Sequence, residues 1–233
     1  LLPVLNIAKQ QITVPFVNKT YTIRPYLVGE EKGLMMSLES RDDVQIAKAI
    51  KNLIVSCVEE KINIDDLSTF ETEYIFLQLR IMSVSNISEV GFGHQHSTEC
   101  QHIQKVTIDL NQIQIDGKID NKVLLDEESG IGVMLTMPSN KTLAKKYNTE
   151  TEKVFGLIQD SIQAIYDKQS VYYTKDVAPD ELTSWINNLN NSQMRKIADF
   201  FSDLPTMNYD IKYKCEKCGE IEEFKVTGLS NFL

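Results

Sequence analysis

Apolar and polar positions along the 233-residue chain follow two periods, and each change of period marks an element. From Ile12 to Tyr26 the residues alternate apolar and polar with β-branched enrichment, which predicts one or two strands around a turn at Asn18-Lys19. Glu30 and Glu31 then open a short helix in which Leu34, Met35 and Leu38 share a side. Asp42 or Asp43 caps the next helix, where Ile46, Ala47, Ile50, Leu53, Ile54, Cys57 and Val58 have the three-to-four spacing of one buried face. Ser68 and Glu71 have the spacing of a capping box. The helix they open carries Phe70, Tyr74, Ile75, Phe76, Leu77, Leu79, Ile81 and Met82 on more than one face, so it is buried between layers or meets a partner.

After Ile87 the period shortens to two. Strands are predicted over Ser88 to Phe92, Gln104 to Leu110, Lys122 to Leu125 and Ile131 to Met137. Helical spacing returns from Lys141 to Lys146 and from Glu152 to Tyr166, the latter with Val154, Leu157, Ile158, Ile162 and Ile165 on one stripe. Val171 to Thr174 reads as a short strand, and Pro179 begins a helix through Leu182, Trp185, Ile186 and Leu189. Asn191 or Ser192 caps another helix through Met194, Ile197, Phe200 and Phe201, which Pro205 stops, and a strand follows from Tyr209 to Tyr213. The expected fold is α+β: a single domain over residues 1–233, with antiparallel strands and several packed helices.

Tyr213-Lys-Cys215-Glu-Lys-Cys218-Gly219 places two thiols at metal-binding spacing after a strand. Two thiolates cannot close a tetrahedral structural zinc site, so two more ligands are needed. The other cysteines are Cys57 and Cys100, and all three histidines, His94, His96 and His102, surround Cys100. Residues after the two clusters match in offset: Cys218, Ile221, Phe224 and Val226 line up with Cys100, Ile103, Val106 and Ile108. Each half therefore reads as strand, knuckle, strand. Together they form a zinc-ribbon-like module split between about 88–110 and 208–227. Its expected ligands are His94 or His96, with Cys100, Cys215 and Cys218, and its metal is structural zinc. A redox dithiol opens a helix in a βαβ pattern, whereas Cys218 is followed by a glycine and a strand. Cys57 lies on the helical apolar stripe and reads as a small core residue.

Composition narrows the functional classes. Lys and Arg total 24 against 33 Asp and Glu, and a net charge of -9 argues against binding a phosphate backbone. Around the terminal knuckle, Glu216, Glu220, Glu222 and Glu223 crowd Lys214, Lys217 and Lys225, a mixed face that suits protein contacts better than a nucleic-acid stripe. No apolar run approaches the length of a membrane span, and Leu1-Leu2-Pro3-Val4-Leu5 is too short for a signal-peptide core. Four cysteines, two at metal spacing, fit a reducing cytoplasm. Gly91-Phe-Gly93 is not continued into a phosphate-binding fingerprint. Convergent acid, base and nucleophile residues are lacking; the enzyme alternative is a metal-dependent hydrolase using Glu99 as base.

Three segments together resemble one family. Asn191-Ser-Gln-Met194 with Ile197, Phe200-Phe201 and Pro205, then Cys215-x-x-Cys218-Gly219, then Gly228-Leu229-x-x-Phe232, is similar to the C-terminal signature of T-even-like phage baseplate hub proteins. Arg24-Pro25-Tyr26-Leu27-Val28 through Met36, and Glu73-Tyr74-Ile75-Phe76-Leu77-x-Leu79-Arg80, resemble its other two segments. The resemblance implies a structural or assembly protein of a contractile phage tail, a hub subunit or hub assembly factor. Its partners would be other baseplate and tail proteins, met in the host cytoplasm and in the virion. A second Cys-x-x-Cys is usual in the family's first knuckle, and here Ser97 stands at a thiol position. Alternatives from the residues are the tail-tip hydrolase and a zinc-ribbon nucleic-acid binder.

Overall fold

The alternation at the start of the chain becomes a hairpin in the computed structural model, which describes residues 5–94 and 100–229. Strand β1 (Gln10–Val14) pairs antiparallel with β2 (Lys19–Ile23), in register Ile12 with Tyr21. Ile12, Val14, Tyr21 and Ile23 point inward and are buried. The described residues fold as two compact units, one of residues up to 64, 70–116 and 206 onward, the other of 65–69 and 117–205.

In the first unit the hairpin is followed by α1 (Val28–Ser40), α2 (Asp43–Cys57) and α3 (Thr69–Ser83). Asp42 caps α2 by accepting hydrogen bonds from the backbone N–H groups of Val44 and Gln45. Cys57 is a core residue, 1% exposed, and burial pushes its thiol up to about 11, which removes it as a nucleophile. Ile75, Phe76, Leu77 and Leu79 of α3 are all buried, and at about 1.5–3 kcal/mol per buried side chain this alone accounts for an apolar surface on most sides. Strand β3 (Ile87–Phe92) pairs antiparallel with β4 (Gln104–Asp109), and β5 (Gln114–Asp116) lies at the edge of a three-stranded sheet. The long strands of that sheet are β10 (Thr206–Lys214) and β11 (Ile221–Thr227), an antiparallel hairpin.

An ion pair ties the end of β2 to both following helices. The Arg24 guanidinium grips Glu30 in bidentate fashion at 2.8 and 3.0 Å and donates to the Ser56 carbonyl at 2.8 Å. Glu30 also accepts the Leu27 N–H at 2.7 Å, capping α1. Arg24 holds the Glu30 carboxyl below its ordinary 4.5, helped by the Leu27 N–H. A depressed carboxyl stabilises the fold above its unfolded value, and that stability is lost as pH falls through the lower folded value. Glu30→Gln is therefore expected to lower stability by about 1 kcal/mol at neutral pH, since the pair is partly exposed. Thermal melts across pH should show the gap to wild type closing as pH falls below 4.5; a gap independent of pH would contradict this origin.

The second unit is built on a meander, with sheet order β6 (Lys122–Asp126), β7 (Ile131–Leu135), β8 (Ile162–Tyr166), β9 (Val171–Tyr173). Its helices are the single turn α4 (Asn140–Leu143), α5 (Glu150–Ser161), α6 (Pro179–Asn187) and α7 (Asn191–Ser202). One cluster unites Leu125, Val133 and Leu135 of the sheet with Ile158, Ile186, Ile197 and Phe200 of the helices. The helical stripe predicted to reach Tyr166 stops at Ser161. Ile162 turns to an extended φ of -76° and ψ of 114°, and Ile162 to Tyr166 becomes β8, paired with β7 and β9. Ile158, Ile162 and Ile165 satisfy helical spacing, but Ile162 and Ala164 also satisfy strand spacing, and sheet pairing decides. Among the described residues no helix is long and apolar enough to cross a membrane.

Candidate metal centre

Both predicted knuckles lie between paired antiparallel strands. In the terminal one, β10 ends at Lys214, Cys215 donates its N–H to the Glu220 carbonyl at 2.8 Å, and Gly219 donates to the Cys215 carbonyl at 2.9 Å. Gly219 adopts φ 77°, a left-handed conformation that favours glycine, and this lets β11 begin at once. Cys215 is buried and Cys218 exposed. The other knuckle links β3 to β4, and of its predicted ligands His94 and Cys100 are described, whereas His96, Ser97 and Glu99 lie outside the described residues.

The fold brings the two knuckles together. Ligand atoms of His94, Cys100, Cys215 and Cys218 all lie within 4.8 Å of one another, one Nδ1 or Nε2 and three Sγ. His94 Nε2 sits 3.5 Å from Cys218 Sγ, although the two residues are 124 positions apart. His102 is not in this group. Neither is Cys57. Three contacts hold the hairpins in place. Tyr213 donates its hydroxyl to the Gly93 carbonyl at 3.0 Å, the Glu216 N–H donates to Gln104 Oε1 at 3.1 Å, and Phe92 meets Phe224 edge-on at 5.5 Å between ring centroids.

Glu222 was not foreseen as part of the site. Read from the sequence it belongs to a mixed surface, but its side chain is 1% exposed and accepts from His94 Nδ1 at 2.8 Å. Its position in β11, two residues before Phe224 and four before Val226, was the available signal: a carboxylate on the inward parity of a strand. With Nδ1 committed to Glu222, the imidazole turns Nε2 toward the thiols, the orientation that a carboxylate second partner imposes on a metal-ligating histidine.

The electrostatics favour a cation. Contact with Cys215, then with Glu222, raises the His94 imidazole to about 9. Backbone N–H groups, that of Cys218 first, and the neighbouring His94 lower the Cys215 thiol to about 6. Cys215 is thus the thiolate of the group, with a proton drawn to the histidine beside it, whereas, against the lowering effect of the Glu220 N–H, burial and the sulfurs of Cys215 and Cys100 push the Cys218 thiol up. A divalent ion bound there would replace that proton on Nε2 while Glu222 keeps its hydrogen bond to Nδ1. Three sulfurs and one imidazole are a donor set suited to zinc in a closed structural site. Glu220 and Glu222 form a second grouping with His94, but it competes for the Nδ1 side already bonded to Glu222.

Residues 7–233 match the family described as T4 bacteriophage base plate protein. No curated protein and no solved structure matches the chain.

Proposed function

From membership in the T4 bacteriophage base plate protein family, which covers residues 7–233 and carries the reading, we propose that the chain is a subunit or assembly factor of the hub in a contractile phage tail. Its role is structural and its partners are neighbouring tail proteins. Zinc, held by His94, Cys100, Cys215 and Cys218, supplies a cross-link and no reaction chemistry. That cross-link joins the β3–β4 hairpin to the β10–β11 hairpin and closes the long stretch of chain between them. Residues 1–233 work as one α+β domain; the chain passes between its two compact units at 64/65, 69/70, 116/117 and 205/206, too often for a simple linker.

Two observations weigh against the competing classes. Four protein ligands leave no coordination position for a hydrolytic water, in contrast to catalytic zinc with three. Two lysines near the knuckle are engaged by acids, Lys212 with Glu223 at 2.8 Å and Lys225 with Asp116 at 3.2 Å, which weakens the case for a cationic stripe facing a phosphate backbone.

A nonsense mutation in the reading frame, in the phage that encodes it, is expected to stop baseplate and tail formation, seen as absent or hubless tails in electron micrographs of lysates. Mass spectrometry of purified virions then separates a retained subunit from a factor that leaves. Normal tails at normal yield would overturn the assignment.

A further inference from the structure

Outside the metal centre, the second unit carries a cavity of about 250 Å³ beside the free edge of its sheet. Its walls include three aromatic rings, Tyr166, Tyr172 and Trp185, and two carboxylates, Asp167 and Glu181, with no lysine or arginine among the described residues that line it. Each ring is held. Tyr166 lies over Gly132, its cross-strand partner, where a β-carbon would come within 2.3 Å of the ring. Tyr172 donates its hydroxyl to Asp167 Oδ2 at 3.2 Å, and Trp185 packs against the helix–sheet core. Backbone N–H groups of Gln169 and Ser170 hold the Asp167 carboxyl below its ordinary range, so it is charged. Glu181 stands one helical turn before Trp185 on α6 and makes no ion pair among the described residues.

The adjoining edge is also open. Strand β9 ends the sheet order, and its consecutive residues Val171, Tyr172 and Tyr173 are 49%, 50% and 51% exposed. An apolar, unpaired edge strand is a template for another extended chain. The nearby lysines turn away: Lys168 donates to the Glu128 carbonyl, and Lys175 lies over Tyr173, 5.5 Å from the ring centroid.

We propose that this cage receives an arginine side chain of a partner tail protein, presented on an extended segment that pairs along β9. Aromatic faces with a nearby carboxylate select a cation, and the planar guanidinium adds ring stacking to the cation–π contact that a compact ammonium makes alone. The cavity is smaller than the roughly 300–1,000 Å³ typical of small-molecule sites, which suits one side chain. Complementarity extends to the whole molecule, whose net charge of -9 attracts basic partners. The inference rests on the assembly reading only for the source of the arginine.

Trp185 is the single tryptophan, so its fluorescence in the full chain reports on this cavity. The probes are N-acetyl-arginine amide, its neutral isostere N-acetyl-citrulline amide, and the capped pentapeptide Thr-Val-Arg-Val-Thr. A saturable change is expected with the arginine amide, tighter binding with the pentapeptide, and none with the citrulline compound. Glu181→Gln, at an exposed position, should leave the melting curve unchanged and weaken the pentapeptide about fivefold to tenfold. Equal response to citrulline and arginine, or no saturable response at all, would overturn the cage. Equal affinity of the amide and the pentapeptide would overturn the extended segment. Binding intact in a chain dispensable for tails would fault the assembly reading instead.

Discussion

Replacing Cys215 and Cys218 together by serine is expected to reduce bound zinc from about one ion per chain to almost none and to lower the melting temperature by roughly 10–20 °C. The size follows from comparing two magnitudes. Structural zinc contributes about 10–16 kcal/mol of apparent binding free energy in small zinc-binding peptides, whereas a whole domain is stable by only about 5–15 kcal/mol. Even if packing such as Phe92 on Phe224 and the Tyr213 hydrogen bond retain most of the arrangement, losing about 5 kcal/mol at 2–4 °C per kcal/mol produces such a shift. Glu222→Gln provides an intermediate case. It keeps an acceptor for His94 Nδ1 but removes the charge, so metal affinity should fall about 10–100-fold while the stoichiometry at saturating zinc is unchanged. Elemental analysis and calorimetry of the three proteins check both outcomes; wild-type zinc content and melting in the double serine variant would remove the centre.

What the sequence disclosed about this site depended on how local each signal is. Cys215, Cys218 and Gly219 form a contiguous turn whose hydrogen bonds close within six residues, and their spacing announces it. The partnership with Cys100 was legible only because the flanking strands repeat the same offsets. The part of Glu222 beside His94 was not legible, because the carboxylate reaches the imidazole from a strand 128 residues away. The fold shows the same division. Asp42 at the start of α2 and Pro179 at the start of α6 act within one turn and were readable. For α7 the cap is Asn190, one residue before the predicted pair, where a capping box with Gln193 settles it. Strand β5 spans three residues and exists through pairing with β10, so nothing in Gln114–Asp116 itself signals a strand.

Gly117→Val is expected to lower stability by about 2–6 kcal/mol without changing zinc content. The chain leaves the three-stranded sheet after Asp116 and returns to it at Thr206, and these two residues are paired across β5 and β10. Just beyond, Lys118 donates its N–H to the Asp203 carbonyl at 2.8 Å, so the outgoing and returning segments remain side by side. Gly117 sits between these contacts at φ 132°, a conformation that side chains rarely adopt. A β-carbon there would lie 2.7 Å from Pro205 Cα and 2.8 Å from the Leu204 carbonyl oxygen, backbone atoms that cannot swing aside. Backbone strain of about 1–3 kcal/mol adds to an overpacking cost of about 1–3 kcal/mol. Because the proposed zinc ligands are remote in sequence from this junction, the variant should bind zinc with wild-type stoichiometry while melting roughly 4–24 °C lower. The opposite pattern is expected of the cysteine variant, which loses metal and stability together, so the pair of measurements separates the junction from the metal cross-link. A Gly117→Val protein that melts with wild type would show that the two segments are not held against each other as described.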